Sequence, residues 1–299
     1  MADTWAIETI DLRKTYGDAE ALRGLTLQVP RGSICGFLGR NGAGKTTTLK
    51  VLLGMTRPTS GTARVFGLPA DQPAASVRIR QRTGFVTEEK DLYDGMTVDQ
   101  IVRFTAAFYA TWRRELEDRY LRTFGLPRER KVGELSRGMR TKLALLLAFS
   151  RGADLLILDE PTAGLDPAAT EEVLQALVSH VGSGEVTVFL SSHHLGQIEQ
   201  VADHIVIIDA GRAVVAGGLE DLRDAYRRVQ LVFDQAAPQP ALRASGVVST
   251  ERRGRVLTVL CQSGLDDVLA ELRPLNAASV EVMPVSLKEI FLETVNGDR

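Results

Sequence analysis

The sequence predicts a mixed α/β protein whose main sheet is parallel, followed by a small α+β region. The continuous apolar run 155–158 and the mostly apolar run 186–190 are typical of strands that are buried in a parallel sheet. Helical stretches alternate with such runs, as expected for this class. After about residue 224 the pattern changes, which separates the α+β region from the rest.

The overall composition excludes some classes of protein. The 299 residues include 36 basic and 38 acidic side chains, and the net charge of −2 gives no support for nucleic-acid binding. No apolar run approaches the roughly 20 residues needed to span a bilayer, and the N-terminus lacks the pattern of a signal peptide. Cys35 and Cys261 fit no metal-binding or redox spacing. We therefore expect a cytoplasmic protein whose connection to a membrane must come from another chain.

The first elements are strands. Alternating side chains predict strands at 5–12 and 22–29, after which an apolar strand covers about 33–38. Two more strands are predicted at 62–66 and 82–87. Residues 69–73 are expected to form a loop.

A glycine-rich segment follows the third predicted strand and leads into an apolar helical stretch. Gly39, Gly44, Lys45 and Thr46 have the spacing of a phosphate-binding loop. Together with Gly42, the glycines allow the backbone to turn with positive φ and direct its N–H groups at one anion. Lys45 brings a charge to the β- and γ-phosphates, and the hydroxyl of Thr46 is a ligand for Mg²⁺. This pattern predicts that the protein binds a nucleoside triphosphate.

The next part of the chain is helical. Thr97 and Gln100 form a capping-box pattern that begins a helix. Further helices are predicted near 112–124 and at 136–151. Because these helices interrupt a chain of alternating strands and helices, we predict an inserted helical subdomain at about 90–150.

Two carboxylates, Asp159 and Glu160, directly follow the buried strand 155–158. The carboxyl ends of parallel strands are where ligands bind in α/β sheets. We expect Asp159 to hold Mg²⁺, directly or through water. Glu160 is expected to accept a proton from the water that attacks the γ-phosphate.

The C-terminal part continues with a helix, a hairpin and the α+β region. An Asp-Pro pair at 166–167 is typical of a helix start, and residues 204–216 predict a hairpin. We predict two domains, 1–224 and 225–299, and for the second one βαββαβ is one possible order. Its predicted elements are strands at 229–234, 247–250, 255–261 and 279–282, helices at 265–272 and 287–295, and a loop or short helix at 238–244.

Five motifs follow one another along the chain. After the phosphate-binding loop come Leu135-Ser-Arg-Gly-Met139, the Asp-Glu pair, Ala163-Gly-Leu-Asp166 and Ser191-Ser-His193. In this order, over about residues 7–217, they resemble the ATP-binding cassette family, the nucleotide-binding subunits of ABC transporters. Tyr16 stands where this family has an aromatic ring that stacks on adenine.

The resemblance implies a P-loop NTPase (RecA-like) core with an N-terminal antiparallel β subdomain and an inserted helical subdomain, followed by the small α+β domain. It implies ATP and Mg²⁺ as cofactors. It adds Asn41 and Thr47 to the phosphate-binding residues, and it adds Asp166, in the loop after Glu160, as a further nucleotide contact. His193 would orient the attacking water, whereas the neighbouring His194 is expected at the surface.

The resemblance also implies partners. Ser136 and the backbone N–H of Gly138 begin a helix and would face the γ-phosphate bound by an opposite subunit. Each active site would then be built from two chains, in a homodimer or a heterodimer. An integral membrane permease, encoded as a separate chain, would hold the ATPase at the inner face of the cell membrane, and no nucleic acid is expected.

Three positions depart from the family pattern. Glu88 (or Glu89, if the alignment shifts by one residue) replaces a Gln that contacts Mg²⁺, so Glu88 is a third candidate metal ligand. A carboxylate binds Mg²⁺ more strongly but repels the γ-phosphate, which leaves its net effect on turnover open. In the signature, Arg137 replaces Gly and Met139 replaces Gln. Arg137 either adds positive charge near the phosphates or points to solvent.

The C-terminal segment has two interpretations. Residues 286–295 are similar to the ending of many bacterial export-type cassettes, or they form an ordinary amphipathic helix.

Two other functions compete with transport. A soluble ABC-type ATPase acting on DNA or ribosomes is disfavoured by the single cassette and the lack of a heptad stretch. A nucleotide-gated regulatory module with little hydrolysis is supported only by the three departures.

Overall fold

The computed structural model describes residues 4–182 and 186–296, and the predicted mixed α/β class is confirmed. The chain divides into two compact units, Met1–Ala216 and Gly217–Arg299. The strands of the first unit are β1 (Trp5–Tyr16), β2 (Ala19–Pro30), β3 (Ile34–Leu38), β4 (Ser60–Val65), β5 (Leu68–Pro69), β6 (Thr83–Val86), β7 (Leu155–Asp159), β8 (Thr187–Ser192), β9 (His204–Asp209) and β10 (Arg212–Gly218). Its helices are α1 (Lys45–Leu52), α2 (Pro73–Arg82), α3 (Val98–Ala106), α4 (Arg114–Thr123), α5 (Arg137–Ser150), α6 (Pro167–Val181) and α7 (Leu195–Ile198).

One layer of the first unit is an antiparallel sheet with the strand order β2-β1-β4-β5. Its apolar face shares one core with the parallel sheet, because Ile7 and Leu25 of this layer belong to the same buried cluster as Phe37, Ile157 and Phe189. The antiparallel subdomain implied by the family resemblance is therefore present. It packs directly on the sheet that carries the phosphate-binding loop.

The second layer is a six-stranded sheet in the order β10-β9-β3-β8-β7-β6. Strands β9, β3, β8, β7 and β6 are parallel, and every residue of β3, β7 and β8 is buried. The rings of Phe37 and Phe189 stack at 4.9 Å across adjacent strands. Because parallel strands end at one edge, the segments that follow β3, β6, β7 and β8 lie side by side.

The predicted helical stretch contains α3, α4 and α5. Its capping box is present: the N–H of Gln100 donates to Thr97 Oγ1 at 3.2 Å, and the N–H of Thr97 donates to Gln100 Oε1 at 2.9 Å. Tyr120 packs against Phe124 and Phe149. In the part of the chain that the structure describes, no helix is both long and apolar enough to cross a bilayer.

Two helices of the first unit were not predicted. Helix α2 directly follows the predicted loop at 69–73, but it is rich in arginine and buries only Ala75, Ser76 and Ile79, so its sequence lacks a continuous apolar stripe. Helix α7 has four residues, which is too short for a periodic pattern.

The second unit has a four-stranded antiparallel sheet with the order β12-β13-β11-β14. Its elements are α8 (Leu219–Ala225), β11 (Tyr226–Val232), β12 (Val247–Arg253), β13 (Val256–Gln262), α9 (Leu265–Leu272), β14 (Ser279–Pro284) and α10 (Leu287–Asn296). The order βαββαβ is not found, because the segment 238–244 forms no helix and three strands precede α9. Val268 and Leu272 of α9 complete the core over β11 and β13.

A partly buried histidine is expected to make the first unit sensitive to acid. The ring of His180 stacks on Phe149 with centroids 4.3 Å apart, and its Nδ1 lies 3.2 Å from the hydroxyl of Tyr120. Burial, with smaller contributions from Arg113 and Arg119, lowers the pKa of His180 to about 4. Below the unfolded pKa of about 6.5, the unfolded chain therefore binds a proton that the native chain excludes.

We expect the free energy of unfolding to fall by roughly 1 kcal/mol between pH 7.5 and 5.5 because of this group alone. His180→Phe should remove that part of the pH dependence, since phenylalanine keeps the stacking but does not titrate. Urea unfolding followed by tryptophan fluorescence measures it, because Trp5 and Trp112 both lie in the first unit. The exposed His194 supplies the control variant His194→Gln, and an equal slope for His180→Phe and wild type would contradict the prediction.

Candidate functional site

The phosphate-binding loop connects β3 to α1. Gly42 and Gly44 have φ of 82° and 110°, and a Cβ on Gly44 would lie 2.8 Å from the carbonyl oxygen of Ala21. Any larger residue at 44 would therefore be strained and would push β2 away. Lys45, which is only 7% exposed, donates from Nζ to the carbonyl of Gly39 at 2.7 Å. The loop is thus tightly closed over its own lysine.

Asp159 at the end of β7 is held through both of its carboxylate oxygens. Thr46 donates from Oγ1 to Asp159 Oδ2 at 3.1 Å, and Ser191 donates from Oγ to Asp159 Oδ1 at 2.5 Å. The same Ser191 hydroxyl accepts the N–H of Glu160 at 3.1 Å. Ser191 therefore fixes the orientation of both consecutive acidic residues.

Ser191 was not predicted as a site residue. The sequence pattern assigned it only to the motif that contains His193. A possible signal was the pairing of parallel strands, because Asp159 of β7 lies opposite Ser191 of β8. A polar residue at the end of a buried strand needs a hydrogen-bond partner, and here the neighbouring carboxylate is that partner.

Glu160 is a buried carboxylate in an unusual backbone conformation. Its φ is 45°, in the left-handed region, which is costly for a residue with a long side chain. Its Oε1 lies 2.9 Å from Nδ1 of His193 and 3.5 Å from Nζ of Lys45. Its Oε2 is buried and has no hydrogen-bond partner. One oxygen of the carboxylate is therefore positioned, and the other can still accept a proton or a hydrogen bond.

These groups border one cleft of about 350 Å³ at the carboxyl edge of the parallel sheet. Ten of the residues predicted from the sequence line it, together with Ala21 and Arg40, which were not predicted. The predicted residues in the lining are Asn41, Gly42, Gly44, Lys45, Thr46, Thr47, Glu88, Asp159, Glu160 and His193. Gly39 lies behind the cleft, where its carbonyl accepts the bond from Lys45.

Besides Gly39, four predicted nucleotide contacts do not line this cleft. Tyr16 is 46% exposed, and Nζ of Lys14 lies 4.7 Å from its ring centroid. Ser136 begins α5 and accepts the N–H of Met139 at 3.2 Å, and Gly138 lies in the first turn of the same helix. Asp166 begins α6, where its carboxylate accepts the N–H of Ala169 at 2.9 Å. In a single chain, these residues are helix caps or exposed groups.

The donor set of the cleft suits a magnesium triphosphate. Phosphate can be bound by the backbone N–H groups of the loop and by Lys45, and the N-terminus of α1 favours an anion. Next to them, Thr46 and Asp159 present hard oxygen atoms that suit Mg²⁺. Over the residues that the structure describes, no group of three or more His, Cys, Asp or Glu forms a metal cage.

Comparison with known proteins decides the family. Residues 22–163 match the family model described as ABC transporter. The daunorubicin resistance ATP-binding protein of Streptomyces coeruleorubidus is 34% identical over 100% of this chain and 98% of that protein. The chain belongs to the ATP-binding subunits of ABC transporters. This ABC ATPase is also 37% identical to the bacitracin transport ATP-binding protein of Bacillus licheniformis, over 74% of the chain and 72% of that relative.

A solved structure agrees with this membership. An ATP-binding subunit of an ABC transporter aligns with a TM-score of 0.66 at 32% identity, covering 73% of this chain and 92% of that one. The triphosphate predicted from the loop is therefore ATP, and the ABC ATPase binds and hydrolyses it. The P-loop NTPase fold class is confirmed as well.

The position of Ser191 leads to a prediction. In this ABC ATPase, Ser191→Ala removes the donor to Asp159 Oδ1 and leaves that buried oxygen without its partner. It also removes one of two acceptors for the N–H of Glu160, which keeps its bond of 3.2 Å to the carbonyl oxygen of residue 191. We expect a stability loss of ~1–3 kcal/mol. Because residues that orient metal ligands typically contribute 10–100-fold, ATP hydrolysis should fall by about that factor. Urea unfolding and a phosphate-release assay measure the two effects.

Ser192→Ala is the matched control. Ser192 is equally buried, but its hydroxyl accepts the N–H of His194 at 2.9 Å. We expect its effect on hydrolysis to be smaller. Equal losses for the two variants would mean that Ser191 has no special role in orienting Asp159 and Glu160.

Proposed function

We propose that this ABC ATPase hydrolyses Mg²⁺-bound ATP in sites shared by two cassettes and thereby drives a separate membrane permease. The proposal rests on where the predicted residues lie, because they form two groups in different places. The groups that suit phosphates and Mg²⁺ line one cleft, whereas Ser136 and Gly138 lie outside it at an exposed helix start. A second chain would bring such a helix start to the cleft.

Within the cleft, each side chain has a proposed task. Lys45 and the N–H groups of residues 41–47 bind the phosphates, and α1 adds the favourable field of its N-terminus. Thr46 and Asp159 hold Mg²⁺, with Glu88 at the rim of the same cleft as a third ligand. Magnesium bound there would neutralise charge on the β- and γ-phosphates.

Glu160 is the proposed general base. Its Oε1 is held by His193 and faces Lys45, while its buried Oε2 has no partner and is free to take a proton from water. His193 is half exposed at the mouth of the cleft, where it would orient that water relative to the γ-phosphate. The left-handed backbone at Glu160 supports a catalytic role, because such strain is typical of functional sites.

The remaining predicted contacts belong to the edges of the composite site. Tyr16 presents an exposed ring at the end of β1, suitable for stacking on a base. Ser136 and Gly138 lie at the start of α5 and would face the partner's nucleotide, and Asp166 caps α6 and would position the loop before it. In this arrangement, ATP binds the two cassettes together and its hydrolysis releases them.

We further propose that the dimer works on the inner face of the cell membrane. Relatives are named for the transport of bacitracin and for resistance to daunorubicin, which supports coupling to export. The described residues contain no helix that could cross the membrane, so the path for the cargo would be built by permease chains. A homodimer suffices, because one chain carries both halves of the composite site.

The role of Glu160 predicts the behaviour of one variant. Glu160→Gln keeps the shape of the side chain but cannot accept the proton, so we expect hydrolysis to fall by about 10²–10⁴-fold. ATP binding should persist, and the variant should accumulate as an ATP-bound dimer in size-exclusion chromatography. Glu171→Gln, on the exposed side of α6, should behave like wild type. Unchanged steady-state hydrolysis in Glu160→Gln would rule out its role as the base.

The shared site predicts complementation between two inactive variants. Lys45→Ala destroys phosphate binding, and Ser136→Glu places a negative charge where the partner's γ-phosphate would lie. When the two proteins are mixed, about half of the dimers are mixed, and each has one intact composite site. About a quarter of the wild-type rate should therefore return.

The control mixture is Lys45→Ala with Glu160→Gln. Both residues lie in the same cleft of one chain, so a mixed dimer has no intact site and hydrolysis should not return. Recovery in both mixtures, or in neither, would contradict a site divided in this way.

A further inference from the structure

A side-chain hydrogen bond joins the two segments that follow β7 and β8. Thr162 donates from Oγ1 to Oε1 of Gln197 at 2.7 Å. Thr162 is only 5% exposed and lies two positions after Glu160, and Gln197 belongs to α7, four positions after His193. Neither Thr162 nor Gln197 lines the nucleotide cleft. The bond therefore connects the segments of the proposed base and of the histidine from outside the cleft.

The position of Thr162 is fixed relative to Glu160. The N–H of Ala163 donates to the carbonyl oxygen of Glu160 at 3.1 Å, which closes a turn directly after the proposed base. The next part of the same segment packs against α5, because a Cβ on Gly164 would collide with the guanidinium of Arg137. A movement of Thr162 would therefore be transmitted to Glu160 through this turn.

The position of Gln197 is fixed relative to His193. The N–H groups of Gln197 and Ile198 donate to the carbonyl oxygen of His194, at 3.1 and 3.4 Å. Ile198 is 1% exposed and packs on β3, where a Cβ on Gly36 would collide with it. Helix α7 has only four residues and no side-chain cap. Its placement therefore depends on Ile198 and on the bond that Gln197 accepts.

Two bonds thus join the same pair of segments, because Oε1 of Glu160 also lies 2.9 Å from Nδ1 of His193. The side chain of His193 is 43% exposed, so packing alone does not hold it there. We propose that Thr162 and Gln197 are positioning residues for ATP hydrolysis, whose bond holds α7 where His193 meets Glu160. This inference rests on the proposed function, because it assumes that Glu160 is the base and that His193 orients the water.

The test begins with Thr162→Val, Gln197→Met and the double variant of the full-length protein. Valine keeps the branched shape without the hydroxyl, and methionine keeps the length without the acceptor. We expect kcat to fall by about 10–100-fold in each single variant, since a displacement of about 1 Å can cost that much. The double variant should be no slower, because the bond can be lost only once.

Binding is measured separately, as the KM for ATP and the equilibrium Kd for ATP with Mg²⁺. Both should change little in these variants, because Lys45, Thr46 and Asp159 keep their contacts. A loss confined to kcat separates misplaced catalytic groups from a general disturbance of the cleft.

Three further variants separate positioning from folding. In a His193→Ala background, Thr162→Val should lower kcat little further, because the bond then has no histidine to place. Thr162→Ser keeps the hydroxyl and should retain most of the wild-type kcat. Thr9→Val is the matched control: Thr9 is fully buried in the antiparallel sheet, where its hydroxyl bonds the backbone of Leu25 and Leu27. We expect lower stability and an unchanged kcat from this control.

Several results would overturn the positioning role. They are a wild-type kcat in Thr162→Val or Gln197→Met, multiplying losses in the double variant, an undiminished effect in the His193→Ala background, and an equal loss of kcat in Thr9→Val. Wild-type hydrolysis by Glu160→Gln would contradict the proposed base. Slow hydrolysis by Glu160→Gln and His193→Ala, together with a wild-type kcat in Thr162→Val, would contradict the positioning role alone.

Discussion

Most of the site depends on placing partners beside two consecutive buried carboxylates. Asp159 and Glu160 are 4% and 5% exposed, and burying a charge without a partner costs several kcal/mol. Thr46 and Ser191 hold the first carboxylate, and Lys45 and His193 lie beside the second. Thr46 and Lys45 follow β3, Ser191 lies at the end of β8 and His193 directly after it, so the parallel order β3-β8-β7 is what brings these partners together. The strand order is therefore linked to the chemistry of the site through the partners that Asp159 and Glu160 need.

The sequence was sufficient for the parts of the site that depend on local spacing. The loop with Lys45 and Thr46 and the pair Asp159-Glu160 are recognisable because each feature occupies a few consecutive residues. The bond from Ser191 to Asp159 joins residues 32 positions apart and depends on which strands are neighbours. Spacing along the chain carries no information on that neighbour relation.

Burial decided which elements of the fold could be predicted from the sequence. Strands β7 and β8 were recognisable because a strand buried on both faces is mostly apolar, as in the runs Leu155–Leu158 and Val188–Leu190. Helix α2 was missed because it lies at the surface and buries few side chains. In the second unit, the strand positions were predicted, but the order of strands and helices stayed open, since the composition of the segment 238–244 suits a loop as well as a short helix. The structure has no helix there. Hydrophobic periodicity therefore identifies elements that bury an apolar face, and it says little about helices and loops at the surface.

Ser136 and Asp166 begin their helices in the same way, but they are not equivalent towards a phosphate. Each accepts one helix N–H, from Met139 and from Ala169. The Ser136 hydroxyl accepts with a lone pair and keeps its own hydrogen, which is free to donate to an anion. The ionised carboxylate of Asp166 has no hydrogen to donate and would repel a phosphate at short range. In the proposed composite site, Asp166 would therefore cap α6 and position its loop, whereas Ser136 would cap α5 and donate its hydroxyl hydrogen to the partner's nucleotide.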